Sequence, residues 1–402
     1  MDFNYSDQSL NLQEQMKSFF EKHIFPNEQA YEDEIINSGD PLHIPQILDE
    51  LKELAKKEEL WNLFLPDETY GSGLSNVDYA PLAELTGQVW WAPEVFNCSA
   101  PDTGNMEILA EFGTDQQKEQ WLMPLLNGEI RSCFAMTEPN VASSDATNIS
   151  SSIVEDGDNY VINGRKWWTS NAINPRAKIC IFMGITNPDN PPHTRQSQIL
   201  IPMDTDGVKV VRPMTVYGYD DGYTGHPEVA FENVVVPKSN IIGGEGMGFK
   251  IAQARLGPGR IHHCMRTIGM AERALELMIK RVNSRETFGS KISDHGVVQD
   301  WIARSRIKIE EARLLTLKTA WLIDTIGKEQ AKIEISAIKV SVIEAASYVI
   351  DKAIQAHGAM GLSQDTPLAK MAAGVRTLRI ADGPDEVHIR SIARREINKH
   401  NE

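Results

Sequence analysis

After Gly248 the chain repeats apolar residues at steps of three and four over three consecutive stretches, which narrows its fold more than any other feature. Cys264, Ile268, Ala271, Leu275, Met278 and Val282 form one stripe. Ile302, Ile309, Ala312, Leu315, Leu322 and Ile326 form a second, and Ile335, Ile338, Val342, Ala345, Val349 and Ala353 a third. Each stripe keeps one face of a long helix apolar. Three in a row with short connections describe an antiparallel bundle, and long flat helices of this kind also pack against copies of themselves. From about Leu10 to Asn127 the pattern is helical too, in ILDELKELAKKEELW (Ile47 to Trp61) and MEILAEFGTDQQKEQWLMPLL (Met106 to Leu126), with the turn cluster YGSGLSN (Tyr70 to Asn76) between them. Between Ile130 and Gly243 the period changes. SQILIPMDTDGVKVV (Ser197 to Val211) and NYVINGRKWWTS (Asn159 to Ser170) are short apolar runs split by Asp-Gly or Asn-Gly. Those pairs accept the positive φ angles of hairpin turns, so a compact all-β domain is expected. NPDNPPHTR, Asn187 to Arg195, reads as a surface loop.

A chain of 402 residues has room for two or three domains. It contains no run of about 18 apolar residues, so no spanning helix is expected. MDFNYSDQSL resembles neither a signal nor a transit peptide, and NKHNE is no lipidation or peroxisomal signal; a cytoplasmic protein is expected. Cys98, Cys133, Cys180 and Cys264 form no C-x-x-C pair, which points to reduced, mostly buried thiols. A formal net charge of −16 argues against nucleic acid as a partner. An anionic ligand would need local attraction instead. Lys370, Arg376, Arg379, Arg390, Arg394 and Arg395 offer it, or else form a solvated basic helix face.

Several local features admit two readings. Gly257, Pro258 and Gly259 interrupt a helix that would begin near Met247, so the chain is expected to kink or open there, as a plain loop or as a ligand-facing kink. Asp382 in IADGPDEVH either stabilises a turn before a helix or is a carboxylate poised for chemistry; Pro384 suits the first turn, and Asp385 and Glu386 its positive end. GGEGMG (Gly243 to Gly248) lacks a G-x-G-x-x-G register and reads as a β-to-α linker. His262 and His263 lead the first bundle helix and, pointing about 100° apart, cannot chelate one metal well; no metal site is expected. Trp167 and Trp168, placed in a strand, should face opposite sides: both core, or one free to pack on something flat.

Four strings in one order, CFAMTEP (Cys133 to Pro139), KWWTSNA (Lys166 to Ala172), RETFGSKI (Arg285 to Ile292) and RIADGPDEVH (Arg379 to His388), resemble the acyl-CoA dehydrogenase family over nearly the whole chain. FENVVVPKSNIIGGEGMGFKIA (Phe231 to Ala252) is similar to that family's passage from β domain to bundle. TEPNVASSDAT, QAHGAMGL and ADGPDEVH resemble one subfamily, found in animals fused to a kinase-like domain; with the motifs beginning this near Met1, no such domain is expected here. The resemblance implies an α+β fold with an N-terminal α-helical domain (1–129), a middle β-barrel or sandwich (130–243) and a C-terminal four-helix bundle (244–402). It also implies FAD, with the stretch Phe134 to Ser144 along the isoalloxazine: Met136 and Thr137 at its pyrimidine edge, Ser143 or Ser144 near the flavin or the coenzyme A diphosphate. Trp168 would stack on the dimethylbenzene side, beside Thr169, with Ser170 toward N5. Arg285 would reach the FAD of a neighbouring subunit, with Phe288 close by and Gln355, Ala356, Gly358 and Ala359 along the adenosine half. Pro384, Asp385 and Glu386 would close the adenine side. A cofactor shared in this way implies a homodimer or a homotetramer built as a dimer of dimers.

By the same resemblance the reaction is α,β-dehydrogenation of an acyl-CoA to the trans-2-enoyl-CoA, as in fatty acid β-oxidation, with electron-transfer flavoprotein as acceptor. Asp382 would be the base, where the family more often has Glu; the alternative base position, just before Arg260, is Gly259. Arg260, Gly383 and Ser144 would meet substrate or orient the Asp382 loop, and the Asp382 backbone N–H would polarise the thioester carbonyl. Ser170 stands for the usual Thr, and the 140–144 segment is one residue longer than the common pattern. An acyl-CoA oxidase, a flavin monooxygenase and a non-catalytic scaffold of the same fold are the alternatives. Acyl length and branching are not legible.

Overall fold

The computed structural model describes residues 4–400, apart from the side chains of 256–258. Its main helices are α1 (Asp7–Phe19), α2 (Gln46–Lys57), α3 (Asn76–Thr86), α4 (Asp102–Phe112), α5 (Gly248–Ser284), α6 (Gly296–Ile326), α7 (Lys332–His357), α8 (Leu368–Leu378) and α9 (Asp385–Lys399). The strands are β1 (Arg131–Ala135), β2 (Ser152–Asp156), β3 (Asn159–Lys166), β4 (Ala177–Ile185), β5 (Gln196–Pro202), β6 (Val208–Arg212) and β7 (Glu228–Pro237). Chain order is thus helical, sheet, helical. Contacts group the chain into two compact units, one of Met1–Glu28, Gly73–Pro93 and Arg260–Glu402, the other of Gln29–Ser72 and Glu94–Gly259.

In the second unit all seven strands join one curled sheet of order β1-β4-β2-β3-β7-β6, with β5 pairing β4. Strand β4 runs parallel to β1 and antiparallel to β5. Both β4 and β5 are buried almost end to end, which explains their unbroken apolar runs. Phe182 and Phe231 meet edge-on in the core, ring centroids 4.7 Å apart.

Neither expected hairpin forms. Asn163-Gly164 lies inside β3, at a register shift against β7. A Cβ on Gly164 would sit 2.1 Å from the Ser151 hydroxyl, so the glycine admits a close neighbour instead of turning the chain. Asn163 Oδ1 accepts the Asn233 N–H at 2.8 Å, standing in for a ladder bond at the bulge. Asp206-Gly207 does turn, but it joins β5, which pairs β4, to β6, which pairs β7. The antiparallel hairpins turn at Gly157 (φ +57), between β2 and β3, and through the proline-rich 187–195 loop, between β4 and β5. The helical run Met106 to Leu126 is also interrupted: α4 stops before Gly113, and Thr114 and Gln117 start a new helix with a reciprocal capping box.

In the first unit every residue of the α5 and α7 stripes is buried. The α6 stripe is not. Ile309 and Ala312 are buried, but Ile302, Leu315 and Leu322 are half-buried and Ile326 is exposed. Ser305, Thr316 and Thr319 occupy the buried face. The two threonine hydroxyls donate to the carbonyls of Ala312 and Leu315 at 2.8 Å, so their burial leaves no donor unmet. The backbone stays helical through Gly257–Gly259, so the chain does not open into a loop there. A proline inside a helix costs about 3 kcal/mol; a 37-residue helix with a fully buried stripe outweighs it. Helices α3 and α5 touch backbone to backbone: a Cβ on Gly269 would lie 1.8 Å from the Glu84 carbonyl oxygen, and one on Gly87 1.9 Å from that of Arg266. This contact fixes the stretch of α5 that carries His262, His263 and Arg266.

Among the described residues no helix is long and apolar enough to cross a membrane, and no group of three His, Cys, Asp or Glu side chains could hold a metal ion. All four cysteines are buried, and none is in a disulfide.

Candidate active site

In the first unit the chain leaves α8 and turns sharply before α9. Asp382 (φ +56) and Gly383 (φ +104) are left-handed, and Pro384 is the N-cap of α9. Three elements hold this turn. From α5, Arg260 Nε donates to the Asp382 carbonyl oxygen at 3.1 Å. From α9, His388 Nε2 donates to the same oxygen at 3.2 Å. From α7, Lys339 Nζ donates to the carbonyls of Leu378 and, at 3.3 Å, Gly383. The Asp382 carboxylate lies 3.2 Å from His263 Nε2 and is 19% exposed, sheltered yet reachable. Burial pushes the Arg260 and Lys339 cations below their usual ranges. Sequence reasoning missed His263, Lys339 and His388, which lie far from the Asp382 motif or on its far side without a local pattern to mark them.

Burial also drives His388 down to about 4, with Arg260 and Lys339 adding to it, and His262, packed edge-on against Tyr79, down to about 3. The unfolded chain takes up these protons near 6.5, while the native rings resist until about 4 and 3. The unfolded state therefore binds more protons across that window, and stability falls as pH drops below about 6.5. Urea midpoints should decline steadily from pH 7 to pH 4, and His262→Phe should flatten the decline. An unaltered slope in that variant would put the proton uptake elsewhere.

In the second unit Lys166 closes β3 and is fully buried. Its Nζ donates to the carbonyls of Met136 (2.9 Å) and Met183 (2.7 Å) and pairs with Glu138 at 2.7 Å. Desolvation outweighs that pairing and brings Lys166 down to about 8. For Glu138 burial opposes ionisation, but Lys166 and the Ser150 and Ser151 donors carry it down to about 2. This buried pair anchors the Met136–Pro139 segment. Thr137 exchanges bonds with Trp167: its hydroxyl donates to the Trp167 carbonyl at 2.7 Å, and its own carbonyl accepts the Trp167 N–H at 3.1 Å. Ser143 is held inside the loop, its hydroxyl accepting the Glu138 N–H at 2.9 Å, whereas Ser144 is exposed. Phe134 carries the Arg255 guanidinium 4.2 Å over its ring.

Trp167 and Trp168 are not in a strand, because β3 ends at Lys166. Trp168 (φ +53) leaves its indole 37% exposed while Trp167 is half-buried. Thr169 Oγ1 is buried without a hydrogen-bond partner. Ser170 Oγ lies 2.7 Å from His226 Nδ1, whose Nε2 faces Asp221 at 3.4 Å, giving His226 a definite task in orienting that hydroxyl.

Of the remaining expected residues, Arg285 and Phe288 stand on a small hairpin (Glu286–Thr287 with Ser290–Lys291), Phe288 at its tip and 97% exposed. Gln355 and Ala356 form the last turn of α7, followed by Gly358 (φ +65) and Ala359. Asp385 is buried and paired with Arg379 at 2.6 Å, while Glu386 is exposed. In the basic stretch Lys370 sits 3.6 Å over the Trp90 ring; Arg376, Arg390, Arg394 and Arg395 are exposed.

The chain matches the acyl-CoA dehydrogenase N-terminal domain over residues 6–129, the middle domain over 133–234 and the C-terminal domain over 246–397. It is 55% identical over 387 residues to acyl-CoA dehydrogenase family member 11 of Rattus norvegicus, covering 95% of this chain and 49% of that protein. It therefore spans about half the length of the animal relatives it matches. Against the probable acyl-CoA dehydrogenase FadE2 of Mycobacterium tuberculosis it is 54% identical over 401 residues, 99% of this chain and 98% of that one. A solved structure from Mycobacterium abscessus, assigned to an acyl-CoA dehydrogenase, superposes with a TM-score of 0.96 at 48% identity, covering 99% of this chain and 100% of that one. Butyryl-CoA dehydrogenase from Megasphaera elsdenii gives 0.83 at 25% identity over 99% and 100%. The chain belongs to the acyl-CoA dehydrogenase family, whose members are FAD-dependent oxidoreductases.

Proposed function

We propose that this protein oxidises the Cα–Cβ bond of an acyl-CoA thioester to the trans-2-enoyl-CoA and passes the electrons to an electron-transfer flavoprotein. The observation that carries this reading is the Asp382 carboxylate, sheltered on a turn pinned from α5, α7 and α9, in a chain of this family. The second unit fits FAD. An exposed indole at a left-handed residue offers a flat stacking face, and the buried, unpartnered Thr169 hydroxyl beside it is a polar group awaiting a ligand. Trp168, Thr169, Ser170, Met136 and Thr137 would hold the ring system; the Thr137 hydroxyl, already donating to Trp167, keeps lone pairs to accept. The exposure of Ser144, against the hydrogen-bonded Ser143 inside the loop, supports Ser144 as the one that would meet ligand. Bound FAD supplies the two-electron acceptor for the hydrogen leaving Cβ.

Asp382 then accepts the α-proton. Arg260, Lys339 and His388 hold the turn so that the carboxylate does not have to be ordered during reaction, which is where positioning contributes to rate. The exposed arginines of α8 and α9 provide the local attraction that a coenzyme A anion needs on a chain of net charge −16. The protruding Arg285–Phe288 hairpin and the exposed apolar Leu362, Val387 and Ile389 suit burial against a second copy, supporting a homo-oligomer that shares its cofactors. Anaerobic titration of the yellow protein with hexanoyl-, lauroyl-, palmitoyl- and branched acyl-CoAs tests the reading. Bleaching of the flavin band by one class establishes the reaction and its substrate class. Failure of all of them, or rapid hydrogen peroxide production in air, would overturn the dehydrogenase assignment.

A further inference from the structure

We propose that His263 is a positioning residue for the Asp382 carboxylate, donating a hydrogen bond from Nε2 to Oδ2 that aims the group for the α-proton. This rests on the reading of Asp382 as the base. Arg260, His388 and Lys339 reach the main chain of the turn, whereas His263 Nε2 stands 3.2 Å from Asp382 Oδ2 itself. The ring's tautomer is fixed from behind. Arg266 Nη2 lies 3.3 Å from His263 Nδ1. A guanidinium only donates, so Nδ1 accepts and the ring proton sits on Nε2, facing the carboxylate. Arg266 is in turn held in place by the glycine-mediated contact of α5 with α3.

Asp has a shorter arm than the Glu that this family more often carries, so its reach depends more on what aims it. A donor to one oxygen supplies that aim and also favours the charged form of the carboxylate. Among the described residues the charged and titratable groups around Asp382 include Arg260, His263 and Cys264 on α5, Lys339 on α7 and His388 on α9, with Arg266 behind His263. All but His263 remain in a His263 variant, so a change in Asp382 titration there reports the imidazole.

Stopped-flow reduction of FAD-loaded protein by hexanoyl-, lauroyl- and palmitoyl-CoA, with far-UV circular dichroism to confirm folding, tests the proposal. His263→Leu should slow limiting reduction about 10–10²-fold with little change in apparent acyl-CoA affinity, and move the acid limb of the rate up by about one pH unit. His263→Gln, whose amide N–H reaches the same place, should recover most of both. Equal loss in Leu and Gln with an unmoved acid limb would mean a packing role and overturn the proposal. A readout free of substrate is the ¹³C-carboxyl aspartate resonance that disappears in Asp382→Asn. It should titrate higher in His263→Leu and return in His263→Gln; an unmoved resonance overturns the proposal. If Asp382→Asn itself reduces flavin at the normal rate, the base reading falls; if it is inactive while His263→Leu behaves as wild type, only the present inference falls.

Discussion

Asp382→Asn is expected to give a folded, FAD-loaded protein whose flavin acyl-CoA reduces about 10²–10⁴-fold more slowly. The substitution suits its site. At φ +56 a residue with a Cβ is strained unless its side chain tolerates the left-handed region, and Asn does so as well as Asp. The carbonyl that accepts from Arg260 and His388 belongs to the main chain, so the turn keeps both anchors. What is lost is the carboxylate proposed to accept the α-proton. Asp382→Ala would confound that loss with backbone strain, and Asp382→Glu would push the carboxylate past His263. Rapid-mixing absorbance separates the outcomes: unchanged substrate binding with reduction nearly abolished supports the assignment, and normal reduction places the base elsewhere.

The turn that carries Asp382 was legible because a short motif surrounds it; most of the groups that pin it were not. Arg260 was expected at the turn from the family resemblance, but His263 and Lys339 also reach it from helices far away in sequence, and nothing in their local pattern distinguishes a ligand of that turn from a core or surface side chain. The apolar stripes on α5 and α7 read correctly because burial there is carried by aliphatic side chains at helical spacing. The α6 stripe misled because Thr316 and Thr319 satisfy their hydroxyls on their own helix and so pass for apolar residues in the core. Local turn chemistry misled in the same way at Asn163-Gly164 and Gly257–Gly259. In both, pairing or packing over many residues overrode a preference worth a few kcal/mol at most. The Lys166–Glu138 pair sits within the two motifs used for the flavin reading, yet only the structure shows that it braces them.

The largest stability effect is expected at Arg131. Its guanidinium is fully buried at the start of β1, 2.6 Å from Glu94, 2.5 Å from Asp102 and 2.8 Å from the Ser99 hydroxyl. Burial alone would raise the Glu94 carboxyl, but Arg131 and Lys52 beside it reverse that and carry it down to about 2. Arg131→Met preserves length and apolar bulk while leaving buried Glu94 with Lys52 and taking from buried Asp102 the guanidinium it pairs with. Breaking a buried pair from one side costs about 3–5 kcal/mol, far more than the pair is worth against an apolar substitute. The damage should not stop at stability. Asp102 also accepts from the Ser132 N–H at 2.6 Å and from Asn171 Nδ2 at 3.3 Å, and Asn171 (φ +68) directly follows Ser170. An Asp102 carboxylate that protonates or turns away for want of its cation releases that loop, so FAD should dissociate more readily in Arg131→Met even under conditions where the protein stays folded. Urea unfolding of the FAD-loaded and stripped variant separates the two effects. A loss below about 1 kcal/mol in the stripped protein would mean that the carboxylates find other partners or protonate at little cost. Adding Asp102→Asn to Arg131→Met removes one orphaned charge and should restore part of the stability, since the penalty lies in the unpaired carboxylates rather than in the missing arginine.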